Sequence, residues 1–257
     1  MGVKQQIGLG AMLVSLALVT TTLAEIIPIV NPGFEDTTGQ DPFYEFTFGT
    51  PIGWTVGPSD IVPQSGFFVG TLEPNGDEFF EDTAPEGDLV GILFNSTQEG
   101  GGEYGYLQML TAVVEANTQY ELSVEVGNIG SGTSTNGGVF NLDGFPGYRV
   151  ELLAGTQLIA QDSNLLTIPE REFRTSVVSF TTGSDDAFIG QPLGIRLVNL
   201  NVIPAGYLDD DDSALEVDFD DVRLIATEIP EPSAVLLLAV GFVAVSVCVR
   251  RRHTYLA

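Results

Sequence analysis

Apolar and polar residues alternate along much of the chain between residues 25 and 227, and this alternation limits the possible folds most strongly. The segment from Tyr120 to Gly127 alternates at every position, and Gly, Asn, Asp and Pro separate it from similar segments. No segment before residue 230 has helical spacing. We therefore predict an all-β protein with one jelly-roll-like sandwich of about eight to ten strands. Strands are expected near residues 89–94, 104–111, 120–127, 148–153, 157–161, 173–181, 194–200 and 215–225.

The first 24 residues have the composition of a secretory signal peptide. Lys4 precedes an apolar segment from Ile7 to Leu23, and Ala24 offers a small residue at which signal peptidase can cut. Residues 1–24 are thus expected to form a signal helix that is removed, which leaves residues 25–227 as the β-sandwich domain. An uncleaved anchor is the alternative.

An uncharged segment lies near the other end of the chain, at residues 234–249, and three arginines follow it. A comfortable bilayer span needs about 20 residues, but arginines that reach the headgroups make a shorter transmembrane helix feasible. Arg250, Arg251 and Arg252 then belong on the cytoplasmic side of the inner membrane, with the large domain outside. A buried core helix is the alternative.

The motif Pro230, Glu231, Pro232 stands directly before this hydrophobic segment. Together with the terminal arginines, it makes residues 228–257 resemble the PEP-CTERM sorting domain of Gram-negative bacteria. The resemblance implies recognition by an exosortase, a membrane cysteine protease-transpeptidase, with cleavage near Pro-Glu-Pro. The protein would be anchored in the membrane before processing and lie at the cell surface or outside the cell afterwards.

Charge is distributed very unevenly over the chain. All 35 acidic residues lie between Glu25 and Glu231, where five arginines and no lysine oppose them. Such a surface repels nucleic acid and attracts cations, calcium in particular. Solubility alone is the other explanation.

The only cysteine and the only histidine, Cys248 and His253, lie in the C-terminal segment. The exported domain therefore has no disulfide, no histidine zinc site and no Ser-His or Cys-His catalytic pair. We predict that the protein is not an enzyme. Glycoside hydrolysis by a pair of carboxylates stays open as an alternative, since acidic residues are abundant.

The last predicted strand changes its phase in the middle. Val217 and Phe219 are in register with each other, whereas Val222 and Leu224 are shifted by one position. A β-bulge at Asp220-Asp221 would return all four to the core and direct at least one carboxylate inward. A buried carboxylate needs a cation or hydrogen-bond donors.

Motifs at both ends of the domain resemble the galactose-binding-like jelly roll of family 4 and 9 carbohydrate-binding modules. They are Asn31-Pro32-Gly33-Phe34-Glu35 with Gly53-Trp54 near the start, and Phe219-Asp220-Asp221-Val222 near the end. The resemblance implies that the first and last segments meet, and that Glu35 and Asp220 bind a structural calcium. Pairing of Asp220 with Arg196 is the alternative to calcium.

Aromatic side chains suggest a ligand class, because rings stack on the apolar faces of sugars. Trp54, Tyr104 and Tyr106 are the candidates for a sugar platform, with Phe67 and Phe68 beside them, and packing in the core is the alternative for these rings. We therefore expect an exported surface or matrix protein that binds or organises extracellular polysaccharide. A structural surface protein stabilised by calcium, with no glycan ligand, is the alternative.

Overall fold

The computed structural model describes residues 24–57, 67–74, 78–95, 102–203 and 214–229, and within them it contains fifteen β-strands and no helix. No helix in this part of the chain is long and apolar enough to cross a membrane. The helix predicted for residues 234–249 lies outside the described residues, as does the signal helix except for Ala24. The prediction of an all-β fold is confirmed.

The strands before residue 100 have three to six residues, and all but two of those after it have seven or more. The first seven are β1 (Ala24–Ile27), β2 (Asp41–Phe43), β3 (Phe46–Phe48), β4 (Thr55–Gly57), β5 (Phe67–Leu72), β6 (Val90–Asn95) and β7 (Tyr104–Val113). The other eight are β8 (Thr118–Asn128), β9 (Gly132–Thr133), β10 (Val139–Phe140), β11 (Tyr148–Ala154), β12 (Gln157–Ser163), β13 (Glu172–Thr181), β14 (Pro192–Asn199) and β15 (Leu215–Glu228).

These strands form two antiparallel sheets and a small hairpin. The first sheet has the order β13-β8-β15-β6-β5-β3-β2, and β1 pairs with the second half of β15. The second sheet has the order β12-β11-β14-β7-β4, while β9 and β10 pair only with each other. The first and last segments of the domain thus meet, as the jelly-roll resemblance implies.

The main core lies between the two sheets and follows from the alternation in the sequence. On β8, for example, every second residue from Tyr120 to Val126 is almost fully buried, and the residues between them are not. The predicted bulge is confirmed, because the register of β15 against β8 shifts between Asp220 and Arg223. Val217, Phe219, Val222 and Leu224 consequently all reach this core.

The outer face of the first sheet is covered as well, by the chain around residues 78–89 and 129–142. A second apolar cluster fills the space beneath these segments. This covering buries both faces of β15 at its start, so that side chains between the inward-pointing residues are also removed from water. The cluster contains Phe46, Leu72, Phe79, Phe80, Val90, Ile92, Ile129, Leu142 and Ala214.

Candidate active site

Three acidic side chains follow one another on the covered outer face of β15. They are Glu216, Asp218 and Asp220, spaced by two residues, and their exposed fractions are 2%, 0% and 0%. In a strand this spacing places all three on the same side of the sheet. The covered face of the first sheet therefore contains a row of buried carboxyl groups.

Glu216 and Asp218 form a pair. Oε1 of Glu216 and both carboxyl oxygens of Asp218 accept no hydrogen bond from a donor within the described part of the chain. The pKa of each carboxyl responds to a hydrogen bond with the other, and such a bond requires that at least one of them keeps a proton. None of the five arginines in the described part of the chain is paired with them. Arg149 binds Glu103 and Glu151, and Arg196 binds Glu151. The partners of Arg171, Arg174 and Arg223 are the Ser131 carbonyl, Glu172 and Asp221.

Burial controls the protonation of this pair. It raises the pKa of Glu216 to about 8, although a hydrogen bond from Asp218 opposes the shift. Burial also raises the pKa of Asp218 well above its ordinary value, and the charge and hydrogen bond of Glu216 act in the same direction. Near neutral pH the pair is therefore a buried proton donor rather than a pair of anions.

Glu216 borders an apolar cavity of about 230 Å³ on the outer face of the first sheet. The antiparallel register brings the lining together, because Glu216 lies opposite Phe94 on β6, and Phe94 lies opposite Phe68 on β5. The hairpin β9–β10 and the residues after it close the other side. Phe46, Phe48, Phe68, Ile92, Phe94, Phe140 and Leu142 form the walls, and Glu216 is the single ionisable residue among the lining residues.

Five phenylalanines surround the cavity in a connected set of ring contacts. The ring centroids of Phe48 and Phe68, and those of Phe68 and Phe94, are 5.7 Å apart. Phe140 lies 5.7 Å from Phe46 and 6.4 Å from Phe94. Aromatic faces attract cationic charge, so this wall favours a flat apolar molecule and a positive charge that forms on it.

This geometry suits acid catalysis on an apolar compound and does not suit a sugar. A sugar in the cavity would leave most of its hydroxyls without hydrogen-bond partners, which is costly. A neutral carboxyl group beside an apolar molecule, by contrast, can transfer a proton without competition from water.

The rings predicted to form a sugar platform are in the core instead. Trp54, Tyr104 and Tyr106 are all at most 4% exposed. Trp54 stacks on Phe34 and donates a hydrogen bond to the Asn31 carbonyl, while the Tyr106 hydroxyl donates to the Ile92 carbonyl. The prediction that these three rings form an exposed platform is therefore wrong, because all three side chains are buried in the protein.

Glu35 and Asp220, the residues proposed to bind calcium, hold opposite ends of one loop. Glu35 accepts hydrogen bonds of 2.8 Å from the backbone N–H groups of Asp88 and Leu89. Asp220 accepts from the N–H groups of Glu86 and Asp221, at 2.8 and 2.7 Å. Backbone donors thus satisfy both carboxylates, and the described residues contain no group of three acidic, histidine or cysteine side chains arranged to hold a metal. Calcium at Glu35 and Asp220 stays a prediction.

Arg196 does not pair with Asp220, which was the alternative to calcium. Its guanidinium group is bonded to Glu151, a residue with 1% of its side chain exposed, and Arg149 holds the other oxygen of the same carboxylate. This ion cluster lies on the second sheet, whereas Asp220 lies on the first. The alternative is wrong, because Arg196 pairs with Glu151 and Asp220 with backbone N–H groups.

Reasoning from the sequence missed Glu216, Asp218 and the phenylalanine wall. One available signal was the acidic residue at every second position from 216 to 220, in a strand whose remaining residues are apolar. Phe68 was considered as a sugar-stacking residue, and it does line the cavity. Phe140 lies outside the strands that were expected, between residues 127 and 148, so its role was not visible.

Comparison with known proteins gives two family matches. The HpiC1-like family, described as HpiC1 cyclase, matches residues 25–225. The PEP-CTERM protein-sorting motif matches residues 228–252, and this match confirms the sorting segment that was predicted from Pro230, Glu231, Pro232 and the arginines. A comparison with curated protein sequences finds no match.

Solved structures of cyclases resemble the whole domain. An apo-form cyclase from Fischerella sp. is 37% identical, with a TM-score of 0.67, and the match covers 81% of this chain and 98% of that chain. A Stig cyclase, Fisc, from Fischerella sp. TAU was solved with (3Z)-3-(1-methyl-2-pyrrolidinylidene)-3H-indole; it is 36% identical, with a TM-score of 0.68 and coverage of 81% and 100%. A cyclase from the same source was solved with 4-(1H-indol-3-yl)butan-2-one; it is 37% identical, with a TM-score of 0.68 and coverage of 80% and 100%.

Proposed function

The chain belongs to the HpiC1-like cyclase family, and from this membership we propose that its β-sandwich is an exported cyclase with Glu216 as general acid. The observation that carries the proposal is the buried, proton-holding carboxyl group of Glu216 at the edge of a cavity whose other lining residues are apolar. Such a group is a proton donor in a site that excludes water.

The prediction that the protein is not an enzyme is wrong, because the cyclase family matches residues 25–225 and solved cyclases are 37% identical. The prediction was based on the absence of histidine and cysteine from the exported domain. That absence excludes nucleophilic catalysis by a Ser-His or Cys-His pair. It does not exclude catalysis by a carboxyl group whose proton is retained through burial.

The proposed reaction is an acid-initiated ring closure within one substrate molecule. The O–H bond of Glu216 breaks, and its proton adds to a carbon–carbon double bond of the substrate, which leaves a cation and the Glu216 carboxylate. A second π system in the same molecule attacks the cation and closes the ring. Loss of a proton from the ring system, returned to Glu216, restores the acid and yields an isomer of the substrate.

Two features of the cavity support this reaction. Phenylalanine faces stabilise a cation that forms between them, by about 0.5 to 2 kcal/mol for each well-placed ring. The apolar walls limit the access of water to the cation before the ring closes. We propose indoles that carry an alkenyl side chain as the substrate class, because two of the similar cyclases were solved with indole compounds.

A comparison of Glu216→Gln with wild type tests the role of the acid. The exported domain is incubated with a panel of C3-alkenylated indoles, and products of unchanged mass are sought by chromatography and mass spectrometry, with deuterium uptake measured in D₂O. Wild type is expected to form an isomer, and Glu216→Gln to be slower by at least about 100-fold, since general acid catalysis contributes that much. Glu121→Gln, at an exposed position on β8, is the matched control and should retain wild-type turnover.

Binding must be measured separately from turnover. Calorimetric titration with 4-(1H-indol-3-yl)butan-2-one should give similar affinities for wild type and Glu216→Gln, since the walls of the cavity are unchanged. Full turnover by Glu216→Gln would contradict the assignment of the acid. No product from any substrate in the panel, with the indole still bound, would argue for a binding function of this cavity.

The sorting motif sets the location in which we propose that this domain works. The chain carries a PEP-CTERM motif, which implies processing by an exosortase. We propose that signal peptidase removes the N-terminal segment, that the C-terminal segment holds the protein in the inner membrane, and that exosortase then transfers or releases it at the cell surface. Binding of extracellular polysaccharide is a separate proposal, and it now lacks the aromatic platform on which it was based.

A further inference from the structure

Aromatic side chains continue beyond the cavity, in a row that crosses the outer face of the first sheet. The neighbouring strands there are, in order, β15, β6, β5, β3 and β2, and each of the last four contributes a phenylalanine to the row. These are Phe94, Phe68, Phe48 and Phe43, and consecutive ring centroids lie 5.7, 5.7 and 5.5 Å apart. Phe94 lies opposite Glu216 in the register of β6 and β15, so the row begins beside the acid.

The far end of this row lies at the edge of the sheet. Phe43 on β2 is opposite Phe46 on β3, and cross-strand partners share a face, so Phe43 is on the same face as the cavity walls. The ring of Tyr44 contacts that of Phe43 edge to face, with a centroid distance of 5.1 Å. Four strand spacings of about 4.8 Å separate β15 from β2, so the row is about 19 Å long.

The row is more exposed outside the cavity than within it. Phe94 is half-buried, whereas Phe68, Phe43 and Tyr44 are 42%, 40% and 67% exposed. Phe48 and Phe68 also line the cavity, so they connect its interior to the exposed rings. Adjoining exposed apolar side chains often mark a surface at which a ligand or partner binds.

The turn that carries Tyr44 is strained and firmly held. Tyr44 and Glu45 form the two-residue connection between β2 and β3, and Tyr44 has a φ of 55°. Such a conformation is costly for a bulky residue, and tight hairpins usually place glycine or asparagine there. The Glu45 carboxylate accepts hydrogen bonds from the backbone N–H and the hydroxyl of Thr135, and the Glu45 carbonyl accepts one from the Glu73 N–H. A large ring kept exposed at a strained position favours a role in binding.

The size of the cavity indicates what occupies the exposed rings. Sites for small organic molecules usually enclose about 300 to 1,000 Å³, and this cavity of about 230 Å³ is smaller. A substrate that exceeds the cavity therefore extends past Phe48 and Phe68 onto Phe43 and Tyr44. A second copy of the chain fits less well, because β2 is a short edge strand that contains a charge and a proline, and both oppose pairing with another strand.

We propose that Phe43 and Tyr44 form a second subsite, the β2–β3 subsite, which holds the hydrocarbon chain of a substrate whose ring system occupies the cavity. This inference rests on the proposed function for the identity of the ring system, and it adds that long chains are preferred to short ones. The chain leaves the cavity along Phe48 and Phe68 and packs on the exposed rings, which offer it apolar faces.

Binding of unreactive 3-alkylindoles tests the subsite without turnover. In calorimetric titrations, 3-octylindole should bind wild type at least about tenfold more tightly than 3-butylindole. A methylene group moved fully out of water contributes about fourfold to affinity, and the exposed rings cover the chain on one side only. The double variant Phe43→Ala/Tyr44→Gly should lose most of this gain and bind 3-butylindole as wild type does.

Two controls separate loss of the subsite from damage to the fold. Leu165→Ala removes an 80% exposed apolar side chain that is not part of the row, and it should keep the full gain for the longer chain. Tyr44→Gly alone should be at least as stable as wild type in urea, because glycine adopts a positive φ without strain. A weaker grip on 3-octylindole in that variant thus cannot come from unfolding.

Turnover of the alkenylindole panel gives a second readout. In Phe43→Ala/Tyr44→Gly the KM for long-chain substrates should rise with kcat unchanged, because the subsite contacts the chain equally before and during the reaction. The KM for short-chain substrates should stay as in wild type.

The outcomes distinguish this inference from the proposed function. Equal affinity of wild type for both indoles overturns the subsite and leaves the proposed function standing. A full gain for 3-octylindole in the double variant does the same, and loss of self-association in that variant would then assign the rings to a contact between copies. If neither indole binds wild type, the cavity is not an indole site, and the subsite and the proposed substrate class both fail.

Discussion

At the scale of single residues, the protein keeps three carboxyl groups away from water on one strand. Burial raises the pKa of Asp220 to about 8, and hydrogen bonds from the backbone of Glu86 and Asp221 oppose part of this shift. Burial also raises the pKa of Glu216 to about 8 and that of Asp218 well above its ordinary value. The folded protein therefore binds protons that the unfolded chain releases at much lower pH.

This difference predicts how stability depends on pH. A carboxyl group whose folded pKa is raised contributes stability that is complete below its unfolded pKa, near 4, and that is lost as pH rises through the folded pKa. We expect the free energy of unfolding in urea to fall between pH 6 and pH 9, by about 3 kcal/mol from each of Glu216 and Asp220, because a protonated group lowers it by about 1.4 kcal/mol per pH unit until the pH passes the folded pKa. Asp218, whose pKa is also raised, adds to the fall.

Glu216→Gln should make that fall smaller, because the amide does not titrate. The exposed control, Glu121→Gln, should leave the slope of stability against pH as it is in wild type. Stability that increases between pH 6 and pH 9 would show that these groups are ionised in the folded protein.

At the scale of elements, the bulge in β15 shifts the phase of the strand, so that apolar residues on both sides of the bulge point into the sandwich core. Before the bulge, Val217 and Phe219 point into the sandwich, and Glu216 and Asp218 point to the covered outer face. After it, Val222 and Leu224 continue the sandwich core on the shifted phase. Asp221 takes the strained position, with a φ of 46°.

Substitutions at Asp221 test the cost of this position. Both Asp221→Gly and Asp221→Val lose the bond to Arg223, so the difference between them reports the backbone conformation. Asp221→Val should be less stable than Asp221→Gly by about 1 to 2 kcal/mol, because a left-handed conformation is costly for a β-branched residue. Equal stability in chemical denaturation would mean that the bulge relaxes when Asp221 is replaced.

At the scale of the whole molecule, a cyclase-family domain is combined with a sorting motif at residues 228–252. β15 ends at Glu228, where the matched motif begins, and β1 pairs with residues 224–227 of β15. A cut near Pro230, Glu231 and Pro232 therefore lies beyond the last strand of the first sheet.

Mass spectrometry of the cell-surface form tests this processing. We expect a chain that begins near Glu25 and that lacks Arg250, Arg251 and Arg252. Replacement of Pro230, Glu231 and Pro232 by alanine should leave the tail attached and the protein in the membrane fraction. An intact arginine tail on the wild-type surface form would contradict the proposed processing.

The eight long strands, the bulge and the sorting motif could be read from the sequence, because each depends on the order of neighbouring residues alone. Alternation shows which residues share a face of a strand, as with Tyr104 and Tyr106, but it does not show which faces other segments cover. Those two rings are in the core because a second sheet is placed over a first. Glu216 and Asp218 are buried because chain around residues 78–89 and 129–142 folds over the outer face of β15. These contacts between distant segments are what buries Glu216 and Asp218 together and places Glu216 beside an apolar cavity. The order of residues in the chain does not reveal them.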